Sequence, residues 1–184
     1  MNVLRAMGTG LLLVAALPLA AQSDGAGPQP VRQGFWIGFG LGAGSNLSRG
    51  LAGTRGGGAG YLRMGGTVNQ HLMIGGEGMS WARSSGGSTL TQGNTVAAVY
   101  FYPSATGGLY LKSGVGFAHR ITSTSAGSVT VTDSHAGFGA TFGGGIDIQV
   151  GRNVFITPNL DFQFQSIEGA TGGLAYLTVG VTWH

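Results

Sequence analysis

The sequence predicts an all-β chain, an eight-stranded antiparallel up-and-down barrel that crosses a membrane and is preceded by a cleaved signal peptide. Three observations carry this prediction. After residue 33, apolar side chains recur at every second position through eight segments, and no comparable segment shows the 3.6-residue helical period. These segments run to roughly 10–14 residues, beyond the ~5–6 usual in soluble sheets and enough for a tilted strand crossing a bilayer. Charged residues make up 8% of the chain and hydrophobic ones 42%, whereas a soluble domain carries about a quarter charged. Such a chain is too poor in charge for an ordinary water-facing surface.

Residues 1–21 read as a signal peptide. Arg5 precedes the apolar run Leu11 to Leu17, and Pro18, Ala20 and Ala21 supply the small residues of a cleavage site. The run is shorter than the ~18 residues a spanning helix needs. Residues 22–33 are a Gly/Pro/Gln periplasmic linker, and the barrel occupies 34–184. The chain has no Cys, which removes disulfide scaffolds, thiolate metal sites and cysteine nucleophiles.

The first strand sets Phe35, Ile37, Phe39 and Leu41 against Gly38, Gly40 and Gly42. The second, 58–69, sets Leu62, Met64 and Val68 against Tyr61, Arg63 and Thr67, and the third and fourth follow at 72–83 and 94–102. In the fifth, 109–122, Leu109, Leu111, Val115, Phe117 and Ile121 oppose Tyr110, Lys112, Gly114, Gly116 and Arg120. The sixth, 136–150, sets Phe138, Phe142, Ile146 and Ile148 against Thr141, Asp147 and Gln149. The seventh, 154–166, places Ile156, Leu160, Phe162 and Phe164 opposite Thr157, Asn159, Asp161, Gln163 and Gln165. The eighth, 173–184, places Leu177, Val179, Val181 and Trp183 opposite Tyr176, Thr178, Gly180 and Thr182.

Connections alternate in length. Loops near 45–57, 84–93, 123–135 and 167–172 are longer than those at 69–71, 103–108 and 151–153. Short turns on one side and longer loops on the other fit a bacterial outer-membrane barrel with both termini in the periplasm. The apolar faces then meet lipid and the glycine-rich faces line a lumen filled by side chains, with room for Arg63, Glu77, Lys112, Arg120, Tyr61 and Tyr110. Phe35, Trp36, Trp81, Tyr100, Tyr102 and Trp183 lie near strand ends, where interfacial aromatic girdles sit.

The runs Tyr102-Pro103, Gly108 to Phe117, Gly143 to Ile148 and Thr157 to Phe162 resemble the small OmpA/OmpX-like outer-membrane β-barrel family. The resemblance covers essentially all of 34–184 and implies an outer-membrane location, a structural role and contact with the outer-membrane assembly machinery. The strand-terminal aromatic read by that machinery is here Trp183, followed by His184, and Thr178 stands where a glycine is expected.

Polar lumen residues should pair. A turn centred on Gln70 places Arg63 opposite Glu77, a candidate ion pair; Lys112 and Asp147 form a second, and Asp161 extends the polar network mid-lumen. If Glu77 faces inward, strict alternation sends Met79 and Trp81 inward too, so a bulge near Gly75, Gly76 or Gly78 is expected to return them to lipid. Other constellations fail. Gly38-x-Gly40-x-Gly42 lies inside a strand rather than before a helix. Asp133, Ser134 and His135 are consecutive and cannot converge as a triad. His71, His119, His135 and His184 show no metal-ligand spacing, and basic residues do not cluster with aromatics as nucleic-acid binding requires.

The expected function is therefore structural: a plugged barrel, without catalysis or cofactor, whose exposed loops contact an unknown surface ligand or support envelope integrity among outer-membrane lipids. A narrow pore is a second reading. A lipid-modifying acyl hydrolase or transferase is a third, and it needs a His/Ser pair on the lipid face or outer rim, for which His119 is the candidate. A soluble lipocalin-like calyx would need an apolar interior and charged exterior, the reverse of this pattern.

Overall fold

The computed structural model describes residues 32–47, 55–126 and 129–184. The signal-peptide segment and most of the linker lie outside these. The described chain contains nine strands: β1 (Phe35–Asn46), β2 (Arg55–Asn69), β3 (Leu72–Ser85), β4 (Ser88–Phe101), β5 (Leu109–Ala126), β6 (Val129–Ile146), β7 (Ile148–Gln149), β8 (Val154–Ile167) and β9 (Ala170–Trp183). Apart from β6 and β7, which are collinear, sequence neighbours pair antiparallel, β1 also pairs with β9, and β6 pairs directly with β8. β6 and β7 form one stave interrupted at Asp147, so eight staves close the barrel and satisfy the backbone around its whole circumference.

The alternation read from the sequence decides inside from outside. Phe35, Phe39, Leu41, Leu62, Leu111, Val115, Phe117, Phe142, Phe162 and Leu177 are exposed on the exterior. Tyr61, Arg63, Tyr110, Lys112, Asn159, Asp161, Tyr176 and Thr178 are buried in the lumen. With water-seeking groups inside and apolar groups outside, the distribution is inverted relative to a soluble barrel.

Three expectations are corrected. The segments 84–93, 123–135 and 167–172, expected as loops, are largely paired strand: β4 begins at Ser88, β5 and β6 stay in register from Leu109↔Ile146 to Ala126↔Val129, and β8 and β9 meet at Ile167↔Ala170. Their Ser/Thr richness marks strand exposed to water rather than loop. The β3–β4 turn uses Gly86 and Gly87 and the β8–β9 turn Glu168 and Gly169, all with positive φ, the geometry that matches the twist of a two-residue hairpin.

The expected bulge in β3 is absent: pairing with β2 is unbroken from Gly58↔Ala82 to Thr67↔Met73, and the irregularity falls at Thr67/Asn69. Met79 and Trp81 therefore stay inside, each 1% exposed. The lumen accepts an indole there because a Cβ at Gly44 or Gly57 would stand within 2.8 Å of it. Trp81 donates its indole N–H to the Gly44 carbonyl at 3.0 Å.

The expected aromatic girdle is divided. Phe35 and Trp183 face outward, but Trp36, Trp81, Tyr100 and Tyr102 are buried in the lumen. Their parity places them there: Trp36 shares its face with Gly38, and Tyr100 and Tyr102 share theirs with Val96 and Ala98. Closeness to a strand end sets height along the barrel, not side.

Inward glycines hold the space these side chains occupy. Gly40 and Gly180 pack directly against Tyr61, and Gly143 against Asp161, whereas exterior Gly58 has nothing near an added Cβ and Gly76 only a carbonyl at 4.0 Å. Gly180→Ala should therefore lower stability by ~1–3 kcal/mol through overpacking. Gly58→Ala and Gly76→Ala should stay within about 0.5 kcal/mol of the parent. Denaturant unfolding of the refolded barrel in detergent checks this, and equal losses at all three positions would refute the steric assignment.

Candidate functional site

The lumen is filled by one polar assembly. Lys112, on β5, stands between two carboxylates from opposite sides of the barrel: Nζ lies 2.5 Å from Glu77 Oε2 on β3 and 3.0 Å from Asp161 Oδ1 on β8. Tyr100 donates its hydroxyl to the same Glu77 oxygen at 2.9 Å. Arg63, on β2, donates to Tyr110 Oη at 2.6 Å and to Thr182 Oγ1 at 2.9 Å, with its guanidinium flanked by the rings of Tyr61, Tyr100 and Tyr110. Tyr110 in turn donates to Asn159, and Asn159 donates to Tyr61 Oη at 3.1 Å. Nearer the end that holds both chain termini of the barrel, Asp147 accepts from Tyr102 at 2.7 Å and from Thr157 at 2.8 Å, and His184 Nε2 lies 3.6 Å away.

The expected lumen residues are thus mostly brought together, with different partners. Arg63 and Glu77 do face each other in register. Their ion pair does not form: Glu77 is taken by Lys112, and the Arg63 fork turns to neutral oxygens and aromatic faces. Lys112 and Asp147 do not pair either, because Lys112 reaches across the lumen to Asp161. A closed barrel places residues from distant staves nearer than the diagonal neighbours that a flat ladder suggests. Asp161 lies in this network, while Arg120 is half-buried in the far part of β5, away from it.

Arg32 is a lumen group that the sequence reading assigned to the linker. Its backbone N–H donates to Gln70 Oε1 at 3.2 Å, and Gln70 Nε2 returns a bond to its carbonyl at 2.9 Å. The guanidinium lies 3.7 Å over the Tyr102 ring and donates to the carbonyls of Ala105 and Gly107. It closes the barrel mouth beside the start of β1 by tying two turns together. An isolated arginine in a Gly/Pro/Gln stretch carries no periodic signal that would reveal this.

The outer end differs. Residues 129–137 of β6 pair with β5 alone, because the β6–β8 ladder begins only at Phe138↔Ser166. The β5–β6 hairpin thus stands roughly 30 Å of strand length above the β8–β9 turn. Val129 and Val131 on this free edge are 61% and 65% exposed. Below them His135 contacts Asp133 at 2.7 Å and Glu168 at 2.8 Å, one carboxylate on each ring nitrogen. Those bonds raise the imidazole's pKa, since only the protonated ring can donate at both nitrogens. Ser134 points to the opposite face, so no triad forms.

His119 on the exterior has a serine partner, Ser80, whose Oγ lies 3.3 Å from Nε2 across Gly93. The neighbours that the register places on this face, Gly78, Ala82, Thr91, Thr95, Phe117, Ile121 and Ala136, include no carboxylate to orient the imidazole. The sheet amides beneath are committed to the ladder, so the pair lacks backbone donors for an acyl intermediate. Among the described residues no His/Cys/Asp/Glu group could hold a metal ion.

Comparison with known folds agrees with this architecture. No family model matches the sequence, and no curated protein matches it. Solved structures do: Ail, the attachment invasion locus protein of Yersinia pestis, superposes with a TM-score of 0.62 at 13% identity, over 83% of this chain and 99% of that one. Neisserial surface protein A gives 0.61 at 13% identity, over 81% and 96%. The N-terminal barrel of Pseudomonas aeruginosa OprF gives 0.50 at 14% identity, over 82% and 98%. The chain has the fold of the small eight-stranded outer-membrane β-barrels.

The network makes a pairwise prediction. Glu77→Gln and Lys112→Met should each destabilise the barrel by ~3–5 kcal/mol, because each leaves a buried charge without its main partner. In double-mutant cycles Glu77 should couple to Lys112 by at least ~1 kcal/mol more than to Arg63. Equal couplings would contradict the observed partner choice.

Proposed function

We propose that this protein resides in a bacterial outer membrane as a sealed β-barrel and acts in contact at the cell surface through the raised β5–β6 hairpin. The observation that carries this reading is the unequal wall: a closed, side-chain-filled lumen supports a hairpin whose β6 edge has no strand partner over 129–137. An apolar exterior suits lipid as the surrounding medium. The single Trp and Phe residues at the exterior ends of β1 and β9 suit its interface. An exposed strand edge with alternating Val and Thr offers unpaired backbone groups to a partner segment. The solved relatives are consistent with surface roles, since one is an attachment invasion locus protein and another a surface protein. Insertion would engage the assembly machinery through the last strand and Trp183.

Shortening the hairpin by joining residues 123 and 132 through an Asn-Gly turn tests the reading. The variant should keep its heat-modifiable barrel band and its outer-membrane fractionation while adherence of expressing cells falls several-fold. Unchanged adherence with the shortened hairpin would overturn the surface-contact role.

A further inference from the structure

We propose that the outer mouth of the lumen is a blind binding cup for an acidic sugar, a single ring carrying a carboxylate or sulfate. The cup is a cavity of about 130 Å³ on the inner face of the high wall, lined by Trp81 and Arg83 of β3, Ser88 and Leu90 of β4, Thr122 of β5 and Asn46 of β1. Its floor is closed by the buried Asn46 and Gln92, with Asn46 Nδ2 donating to Gln92 Oε1 at 2.5 Å. Below them Asn94, Gln163, Gln165 and Tyr176 bond to one another or to strand carbonyls, so a ligand entering from outside stops here.

Three features select the ligand class. The Trp81 indole is buried with its N–H spent on the Gly44 carbonyl, so it backs the cavity, and half-buried Leu90 presents the apolar surface suited to the C–H face of a pyranose. Ser88 and Thr122 hydroxyls line the same cavity and can exchange hydrogen bonds with sugar hydroxyls. Arg83 supplies the charge. Its one hydrogen bond is a long 3.4 Å contact to the Gly56 carbonyl, and among the described residues it has no carboxylate within ion-pair distance.

Arg120 stands one inward position deeper on β5 than Thr122, opposite Gln92, and likewise makes no ion pair among the described residues. The nearest acids at this end, Asp133 and Glu168, are engaged by His135. Two guanidiniums that make no ion pair among the described residues, on the wall of a concave, sheltered mouth, favour an anion, and their planar forks suit carboxylate or sulfate oxygens.

The assignment rests on the reading that this mouth faces the cell's surroundings, but its test does not. Glucuronic acid, glucose 6-sulfate and glucose are titrated against the full barrel in lipid nanodiscs, following the indole N–H resonance of Trp81 and the Nε–H resonance of Arg83. Both acidic sugars should shift these resonances and bind roughly ten-fold more tightly than glucose. Arg83→Gln should abolish that preference, Thr122→Trp should fill the cup and abolish binding of all three, and Arg152→Gln in a periplasmic turn should change nothing. Equal affinity for glucuronic acid and glucose, or resonances that do not move, would overturn the proposal. Loss of adherence on hairpin shortening with sugar binding intact would separate the cup from the surface-contact role.

Discussion

Closing eight staves on themselves leaves a lumen only wide enough for side chains, and the charges placed there must balance and be hydrogen-bonded within it. Among the described residues six charged side chains are buried: Arg32, Arg63 and Lys112 against Glu77, Asp147 and Asp161. Three cations balance three anions, although only Lys112 touches carboxylates directly, Arg63 and Arg32 being held by neutral oxygens and aromatic rings. The interior is formally neutral, so no bare charge has to be held away from water. Lys112 is the point where this balance becomes architecture, because one ammonium ties β3, β5 and β8 together across the lumen.

Glycine makes that possible. The inward glycines at 40, 143 and 180 give their volume to Tyr61 and Asp161, and those at 44 and 57 give theirs to Trp81. The chain thus fills the same lumen with fewer, larger and more polar groups than a uniform apolar packing would use. The three tyrosines around Arg63 and the Arg32 clamp over Tyr102 seal the inner and periplasmic levels. At the other end the wall is uneven, the strands are rich in Ser and Thr, and Arg83 and Arg120 make no ion pair among the described residues.

The number of staves and the facing of most of their residues were legible in the sequence because period two is a local signal: Leu111, Val115 and Phe117 outside with Tyr110 and Lys112 inside needed no tertiary information. Partner choice was not. Arg63 and Glu77 sit opposite in register, yet which cation reaches Glu77 depends on the curvature that brings β5 across from β3 and β8. The hydroxyl-rich stretches 84–93 and 123–135 were misread because polarity marks contact with water, and strand that extends past the apolar band is as polar as loop. Trp36, Trp81, Tyr100 and Tyr102 were assigned by their height along the strand although parity already placed them inside. Arg32 was invisible since one residue has no period, and its role exists only once two turns from distant parts of the chain supply carbonyls around it.

The lumen is filled and balanced in charge from the Arg32 clamp to the Asn46–Gln92 floor. Single-channel recording of the purified full-length barrel in planar bilayers tests this most directly. Insertion should increase membrane capacitance or yield immunodetectable protein in the bilayer with no conductance steps under applied voltage, and steady ion-conducting steps from the unmodified protein would contradict it.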